Sequence, residues 1–226
     1  LVDEDTCRCF VDLHQATGEG RHLQRAVDVA RSIHHLFSAG EGGYYDVAAG
    51  DATLAGVRLG RERPVLENAL LAEGLAVLGC LTGDEKYQKQ ASEALEIFES
   101  IVPGSSYLGP RESRHVEEDE ERLFMPAGSA WARARRRLSS GPVHLVIVGR
   151  ATHPATKKLL RAALKTYVPH RVVQTLDPER DRERITSLGF PAAIEPALYA
   201  CMNNMCLAPI RSAQEVGRLQ SARPWA

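Results

Sequence analysis

One stretch of this sequence constrains its fold more than any other: residues 69–81 are apolar or glycine at every position except Glu73. A helix that is apolar on all sides is typical of a protein core, so the stretch predicts an inner helix. Thr82-Gly83-Asp84 ends it and caps the next helix. That next segment, up to residue 102, has one apolar stripe among charged residues, which indicates an outer helix.

The start of the chain repeats this pattern. Residues 1–16 and 22–37 predict another inner and outer helix, joined by Thr17-Gly18-Glu19, which corresponds to the later Thr-Gly-Asp at an offset of 65 residues. In such repeats each hairpin buries its apolar face against its neighbours. Two hairpins are too few to close a ring, so we expect further repeats N-terminal to this sequence.

The pattern of the chain changes at Pro142. Short β-branched runs now alternate with segments of helical character, which predicts a small βαβαβ unit with parallel strands. We therefore expect a helical-hairpin region at 1–140 and an α/β unit at 141–226. The predicted strands are 143–148, 171–176 and 197–201, and the predicted helices are 154–167, 177–189 and 212–219.

The segment before this boundary is unusually charged. Nine of the twelve residues from 111 to 122 are charged, which predicts a solvated or disordered insertion. A last helix of the helical region is expected at 127–138.

Composition argues against several partners. A formal net charge of −1 gives no attraction to nucleic acid, and no apolar run is long enough to predict a membrane span. Five cysteines, an odd number, favour reduced thiols in the cytoplasm over a disulfide framework. Because no cysteine or histidine spacing completes a set of four ligands, the sequence predicts no metal site, and it predicts no cofactor.

Two carboxylates near the start of the central helix are candidates for chemistry. Glu67 could act as a catalytic acid or base with Asn68 binding substrate beside it, or it could simply favour the helix start electrostatically. Glu73 is alone inside an apolar helix and needs a partner, because a buried charge is costly. The sequence favours an ion pair with Arg58, Arg61 or Arg63.

Aromatic and imidazole side chains give further candidates. Tyr44, Tyr45 and Asp46 follow two glycines on a predicted loop, where they could form a stacking platform for a sugar or could serve packing. Arg63 lies near them as a further substrate-binding candidate. His14, on the first inner helix, could shuttle protons or be a structural histidine, and the structural role is favoured.

Cys201 and Cys206 are a candidate redox pair. They follow a predicted strand, and Asn203-Asn204 between them favours a turn that could bring the sulfurs together. Two separate thiols, one in the core and one exposed, are the favoured alternative.

These features resemble the C-terminal part of a family of thioredoxin-domain-containing proteins that includes spermatogenesis-associated relatives. The order and spacing of the matching segments both agree with that family. The segments are Gly42-Gly43-Tyr44-Tyr45-Asp46, Arg61-Glu62-Arg63-Pro64, Glu67-Asn68-Ala69, Leu81-Thr82-Gly83-Asp84, 143–149, 171–181, Tyr199-Ala200-Cys201 and 206–209.

The resemblance implies an N-terminal thioredoxin-like domain followed by a six-hairpin (α/α) toroid similar to N-acylglucosamine 2-epimerases and six-hairpin glycosidases. The fold expected here is therefore mainly α: a partial toroid followed by the α/β unit. The implied function is carbohydrate binding, with Glu67 and His14 catalytic if a reaction occurs. The missing domain and the remaining hairpins are the expected partners. The alternative hypothesis is a non-enzymatic interaction or thiol-regulatory module.

Overall fold

The computed structural model describes residues 4–48, 61–99, 118–191, 195–203 and 205–222. The described chain is mostly helical, with one small sheet. Its elements are α1 (Glu4–Thr17), α2 (Gly20–Phe37), α3 (Val65–Thr82), α4 (Glu85–Glu96), α5 (Glu118–Ser140), β1 (Val143–Val148), α6 (Pro154–Lys165), β2 (Arg171–Leu176), α7 (Arg182–Ser187), β3 (Ala197–Met202), β4 (Met205–Cys206) and α8 (Ala213–Ala222).

The chain divides into two compact units. The helical unit comprises residues 1–10 and 24–140, and the α/β unit comprises residues 11–23 and 141–226. The change of unit after residue 140 lies where the sequence changes character. The turn between α1 and α2 groups with the α/β unit, which the linear division at 140 did not anticipate.

The apolar helix predicted at 69–81 is α3, and it is the core of the helical unit. Twelve of its eighteen residues are buried, and α4 and α5 both pack along it. Among the described residues, α3 is the one helix long and apolar enough to cross a membrane by length and composition alone. Since 67% of it is buried inside the fold, it has the environment of a core helix.

Glu73 forms the ion pair expected of a buried carboxylate, but the predicted partners are wrong. Its oxygens lie 3.5 Å from Arg8, 3.6 Å from Arg133 and 3.5 Å from Arg137. These arginines come from α1 and α5, which flank α3, whereas the prediction considered only arginines preceding α3. Burial lowers the pKa of Arg137, and the Glu73 carboxylate opposes that shift.

Arg61 and Arg63 contact other groups, and Arg58 lies outside the described residues. Arg61 donates a hydrogen bond from Nε to the Val47 carbonyl, and Arg63 donates to the Gly42 carbonyl. Both arginines therefore hold the loop that precedes α3.

The two turns of the predicted repeat have the same local geometry. Thr17 Oγ1 donates to the Leu13 carbonyl at 2.7 Å and accepts from the amide of the second residue after it at 3.2 Å. Thr82 Oγ1 donates to the Leu78 carbonyl at 2.8 Å and likewise accepts at 3.2 Å. The glycine after each threonine has a left-handed φ, 71° in the first turn and 76° in the second.

The charged insertion is only partly as expected. Residues 111–117 lie outside the described chain, but residues 118–122 begin α5, which continues through Pro126 to Ser140. Of the two predicted alternatives, a solvated or a disordered insertion, the helix contradicts the disordered one for this second part. The side chain of Trp131 ties α5 to α4 by donating from Nε1 to the Leu95 carbonyl at 3.2 Å.

The α/β unit contains the predicted strands in a mixed sheet of order β2-β1-β3-β4. β1 and β2 are parallel, as predicted, but β3 runs antiparallel to β1 and β4 antiparallel to β3. The all-parallel prediction is wrong because the chain does not cross back after β2. β3 begins at the end of the sheet where β2 ends, since Val148 is paired with both Leu176 and Ala197.

Helix ends also differ from prediction in this unit. The helix expected at 177–189 is limited to α7, because Asp177 organises a turn instead: its carboxylate accepts from the amides of Ala151 and Glu179 at 3.0 Å.

On the outer edge of β2, Gln15 Oε1 accepts from the Val173 amide at 2.9 Å. That side chain covers part of an edge that would otherwise be open to pairing.

One ionisable side chain of β1 is poorly solvated. The Nε2 atom of His144 is buried and has no hydrogen-bond partner among the described residues. Burial lowers the pKa of His144 to about 4, the positive charge of Arg184 adds to this, and a hydrogen bond with Gln174 opposes it.

We predict that Glu73→Gln lowers the free energy of unfolding by about 3 kcal/mol, because it leaves the buried Arg137 guanidinium without its counter-ion. Urea unfolding measures the change. Glu99→Gln is the matched control, since Glu99 pairs with another α5 arginine, Arg135, on the surface; it should change stability by less than about 0.5 kcal/mol. Equal effects of the two substitutions would contradict the assignment.

We predict that stability falls on acidification partly through His144. Its folded pKa lies below the unfolded value of 6.5, so the unfolded state takes up the proton first. The contribution is complete above pH 6.5 and is lost as the pH falls towards about 4. His144→Gln should therefore reduce the loss between pH 6.5 and 4 by roughly 1–3 kcal/mol. His35→Gln, on an exposed histidine of α2, should leave the pH profile unchanged.

Candidate functional site

An open cleft of about 520 Å³ lies in the helical unit, between the loop that follows α2 and one face of α4. Its volume suits a small polar ligand. Its described lining consists of His34, Ser38, Ala39, Gly40, Glu41, Gly42, Gly43, Tyr44, Gln90, Glu93, Glu96 and Ile97.

The loop reaches α4 closely because of two glycines. Both have positive φ, 95° at Gly42 and 74° at Gly43. A Cβ on Gly42 would lie 3.2 Å from the Glu93 carbonyl, and a Cβ on Gly43 would collide with the Ile97 side chain. The Gly-Gly pair is therefore required both for the backbone conformation and for the approach to α4.

Asn68 holds the same loop from its other side. Its Oδ1 accepts from the Tyr44 amide at 2.7 Å, and its Nδ2 donates to the Tyr44 carbonyl at 2.9 Å. Asn68 is 1% exposed. Its amide is thus committed to backbone groups, and it positions the cleft rather than facing a ligand.

The predicted platform of Tyr45 and Asp46 is also engaged within the protein. The guanidinium of Arg61 lies 4.0 Å from the centre of the Tyr45 ring, and that of Arg63 lies 5.9 Å away. One carboxylate oxygen of Asp46 accepts from the Glu62 amide at 3.0 Å. These contacts favour the packing interpretation of the two residues, and neither lines the cleft.

Tyr44 is the predicted substrate-binding residue that the structure brings to the cleft. Its hydroxyl lies 3.3 Å from His34 Nδ1. Burial raises the pKa of Tyr44, and the charge of Glu93 raises it further. The phenol therefore stays protonated at neutral pH and can donate a hydrogen bond.

The lining is acidic. It carries the carboxylates of Glu41, Glu93 and Glu96, and the described lining contains no lysine or arginine. Glu93 pairs with Lys89 at 3.7 Å, and Glu96 accepts from Ser92 at 2.8 Å. Carboxylates beside an amide, a phenol and an imidazole offer both acceptors and donors to a ligand rich in hydroxyls.

The two predicted catalytic residues lie in different units. Glu67 is exposed on the first turn of α3 and does not line the cleft. His14 is 5% exposed in the α/β unit, where Nδ1 is 3.0 Å from the Glu19 carbonyl. Burial lowers the pKa of His14, and its buried Nε2 atom has no hydrogen-bond partner among the described residues.

Cys201 and Cys206 form a disulfide between β3 and β4, with Cα atoms 4.0 Å apart. The favoured expectation of two separate thiols is wrong here, because the strands place the two residues directly opposite each other. Asn203, with a φ of 50°, lies in the turn that reverses the chain. Cys7, Cys9 and Cys80 are not part of a disulfide.

A metal centre has no support in the described part of the chain, where no three histidine, cysteine or acidic side chains are grouped as ligands. Comparison with models of known protein families and with curated protein sequences finds no match. Function must therefore be inferred from the cleft and the disulfide.

Sequence reasoning missed the contribution of α4 to the cleft. The charged residues outside the apolar stripe of this segment include Glu93 and Glu96, and their spacing indicates only an outer helix face. The available signal was the Gly42-Gly43 pair, because two adjacent glycines before aromatic residues often mark a close approach of the backbone to another element.

We predict that Gly43→Ala lowers the free energy of unfolding by about 1–3 kcal/mol, because the new methyl group meets Ile97 and the φ of 74° is unfavourable for alanine. Thermal or urea unfolding measures this. Gly40→Ala, in the same loop with no atom within 4 Å of its Cβ, is the control and should be neutral. A neutral Gly43→Ala would show that the loop does not approach α4 as described.

Proposed function

We propose that this chain is the C-terminal portion of a thioredoxin-domain protein with a six-hairpin (α/α) toroid, and that its helical unit binds carbohydrate. The missing hairpins and the thioredoxin-like domain would be its partners. Binding is proposed here without a reaction, since neither Glu67 nor His14 lines the cleft.

The repeated turn supports the first part of this proposal, the toroid architecture. The two Thr-Gly-acidic turns share both hydrogen bonds of the threonine hydroxyl and the left-handed glycine. Repeats of one hairpin type are the building principle of such helical arrays. The likeness is limited to the turns, because α1 is not the apolar inner helix that the sequence predicts: Cys9 and Leu13 are exposed.

The acidic cleft supports the second part of this proposal, that the helical unit binds carbohydrate. Sugar hydroxyls are recognised by carboxylates and amides that accept and donate in fixed directions, and the described lining supplies Glu93, Gln90 and the Tyr44–His34 pair within one concave surface. The tyrosine ring itself is buried. Recognition would therefore depend on hydrogen bonds more than on stacking.

We predict that the protein binds neutral monosaccharides or short oligosaccharides in this cleft. Isothermal titration calorimetry or NMR with a panel of such sugars measures the affinity. Glu93→Gln should weaken binding about 10-fold, as expected for the loss of a hydrogen bond to a charged group, and Tyr44→Phe should weaken it less.

Two matched controls locate the site. Glu85→Gln removes an exposed carboxylate of the same helix outside the cleft and should leave affinity unchanged. Glu67→Gln separates the cleft from the predicted catalytic position and should also leave it unchanged. Weakening by Glu67→Gln without weakening by Glu93→Gln would move the site to the start of α3. Absence of binding to every sugar would overturn the proposal.

A further inference from the structure

The two cysteines of the disulfide hairpin in the α/β unit differ in their exposure to solvent. Cys201 belongs to the inner strand β3 and packs against a core cluster that includes Val146 and Tyr199. Cys206 belongs to β4, which has two residues, both exposed. One sulfur is therefore anchored in the core, while the other is on a short edge strand that solvent can reach.

We propose that Cys201–Cys206 is a reversible thiol–disulfide exchange site, in which an incoming thiolate attacks the sulfur of Cys206 and the sulfur of Cys201 leaves. The proposal goes beyond carbohydrate binding and develops the thiol-regulatory alternative. Its co-reactant is a dithiol, either a small molecule or a protein with two neighbouring cysteines.

The exchange has two balanced steps. First, one sulfur of the dithiol bonds to Cys206, the Cys201–Cys206 bond breaks, and Cys201 leaves as a thiolate that takes up a proton. Second, the other sulfur of the dithiol displaces Cys206, which also takes up a proton. The dithiol loses two electrons and becomes a disulfide, while the pair gains two electrons and becomes two thiols. Access decides which sulfur is attacked, and access favours Cys206.

His144 stands opposite the sulfur that leaves. In the register of β1 and β3 it is paired directly with Cys201, so both side chains are on the same face of the sheet with Cβ atoms about 4.5–5.5 Å apart. Its Nε2 atom has no hydrogen-bond partner among the described residues. A neutral imidazole there can hydrogen-bond to the departing sulfur, so His144 acts as a positioning residue.

Reduction would act on the edge of the sheet. The ladder between β3 and β4 comprises two residue pairs, Cys201 with Cys206 and Met202 with Met205. Met205 is 72% exposed. Once the covalent link is broken, this short pairing ends next to the backbone hydrogen bonds that Leu207 and Ile210 make with β3. Reduction should therefore loosen the β3–β4 turn, while Ile210 keeps the edge of β3 covered at Leu198.

Alkylation with peptide mapping tests the existence of the site, using the full chain. Without reductant, iodoacetamide should label Cys9 but neither Cys201 nor Cys206. After mild dithiothreitol treatment, which leaves the far-UV circular dichroism unchanged, both should be labelled. Cys7 serves as an internal negative control, since it is buried and burial raises its pKa to about 11. Labelling of Cys201 and Cys206 before reduction would overturn the proposal.

Two single variants test which of the two cysteines reacts with the incoming sulfur compound. With oxidised glutathione, Cys206 in Cys201→Ser should form the mixed disulfide at least about 10-fold faster than Cys201 in Cys206→Ser, each rate being normalised to Cys9 in the same molecule. Equal normalised rates would contradict attack on Cys206. Measured hydrogen exchange in both variants verifies that β1 and β3 remain folded.

The role of His144 is tested separately. His144→Phe keeps an aromatic ring but removes both nitrogens, and it should slow reduction by dithiothreitol by about 2- to 5-fold, because a leaving sulfur that loses its hydrogen-bond donor leaves more slowly. His144→Gln, which retains a donor, should restore the rate. Unchanged rates in both variants would remove His144 from the mechanism and leave the exchange site standing.

Discussion

The burial of α3 on nearly all of its surface is the constraint on which the helical unit depends. An apolar helix of this length must be covered by other elements, and α4 and α5 cover it along its length. Its one buried carboxylate, Glu73, takes ion-pair partners from α1 and α5. The ion pairs of Glu73 thereby specify which surfaces of the neighbouring helices face α3. Uniform apolar packing would define those surfaces less well.

The cleft is a consequence of the same packing. Gln88 Nε2 donates to the Ala76 carbonyl, and Gly79 gives that side chain room, which sets the closeness of α4 to α3. Asn68, at the start of α3, holds the Tyr44 backbone. The loop after α2 is therefore held by α3 while its glycines face α4, and the acidic lining arises where these two constraints meet.

Much of the fold could be predicted because it depends on local periodicity. The buried α3, the amphipathic α4, the parallel pair β1–β2 and the repeated Thr-Gly turns all follow from spacing and caps. The antiparallel β3 could not be predicted, because a connection of this length is compatible with a return to either end of the sheet. The partners of Glu73 could not be predicted either: they lie 65 residues before and about 60 residues after it in the chain.

The candidate site could also be predicted from the sequence only in part. The glycines before Tyr44 indicate a loop that approaches another element, and Tyr44 lines the cleft there. The sequence could not separate it from Tyr45, Asp46, Arg63 and Asn68, because their contacts with each other and with backbone groups are a tertiary property. The pairing of Cys201 with Cys206 required a turn at Asn203, which the sequence permits without demanding. The toroid remains a proposal that the repeated turns support.

Native-state hydrogen exchange tests the central role of α3 most directly. The amides of residues 72–78 should be the slowest in the helical unit and should exchange only through global unfolding, with a free energy equal to that from urea denaturation. Amides on the outer face of α4 should exchange through smaller openings. If residues 72–78 exchanged as fast as the exposed face of α2, α3 would not be the core of this unit. The packing against α3 that positions the cleft would then be contradicted as well.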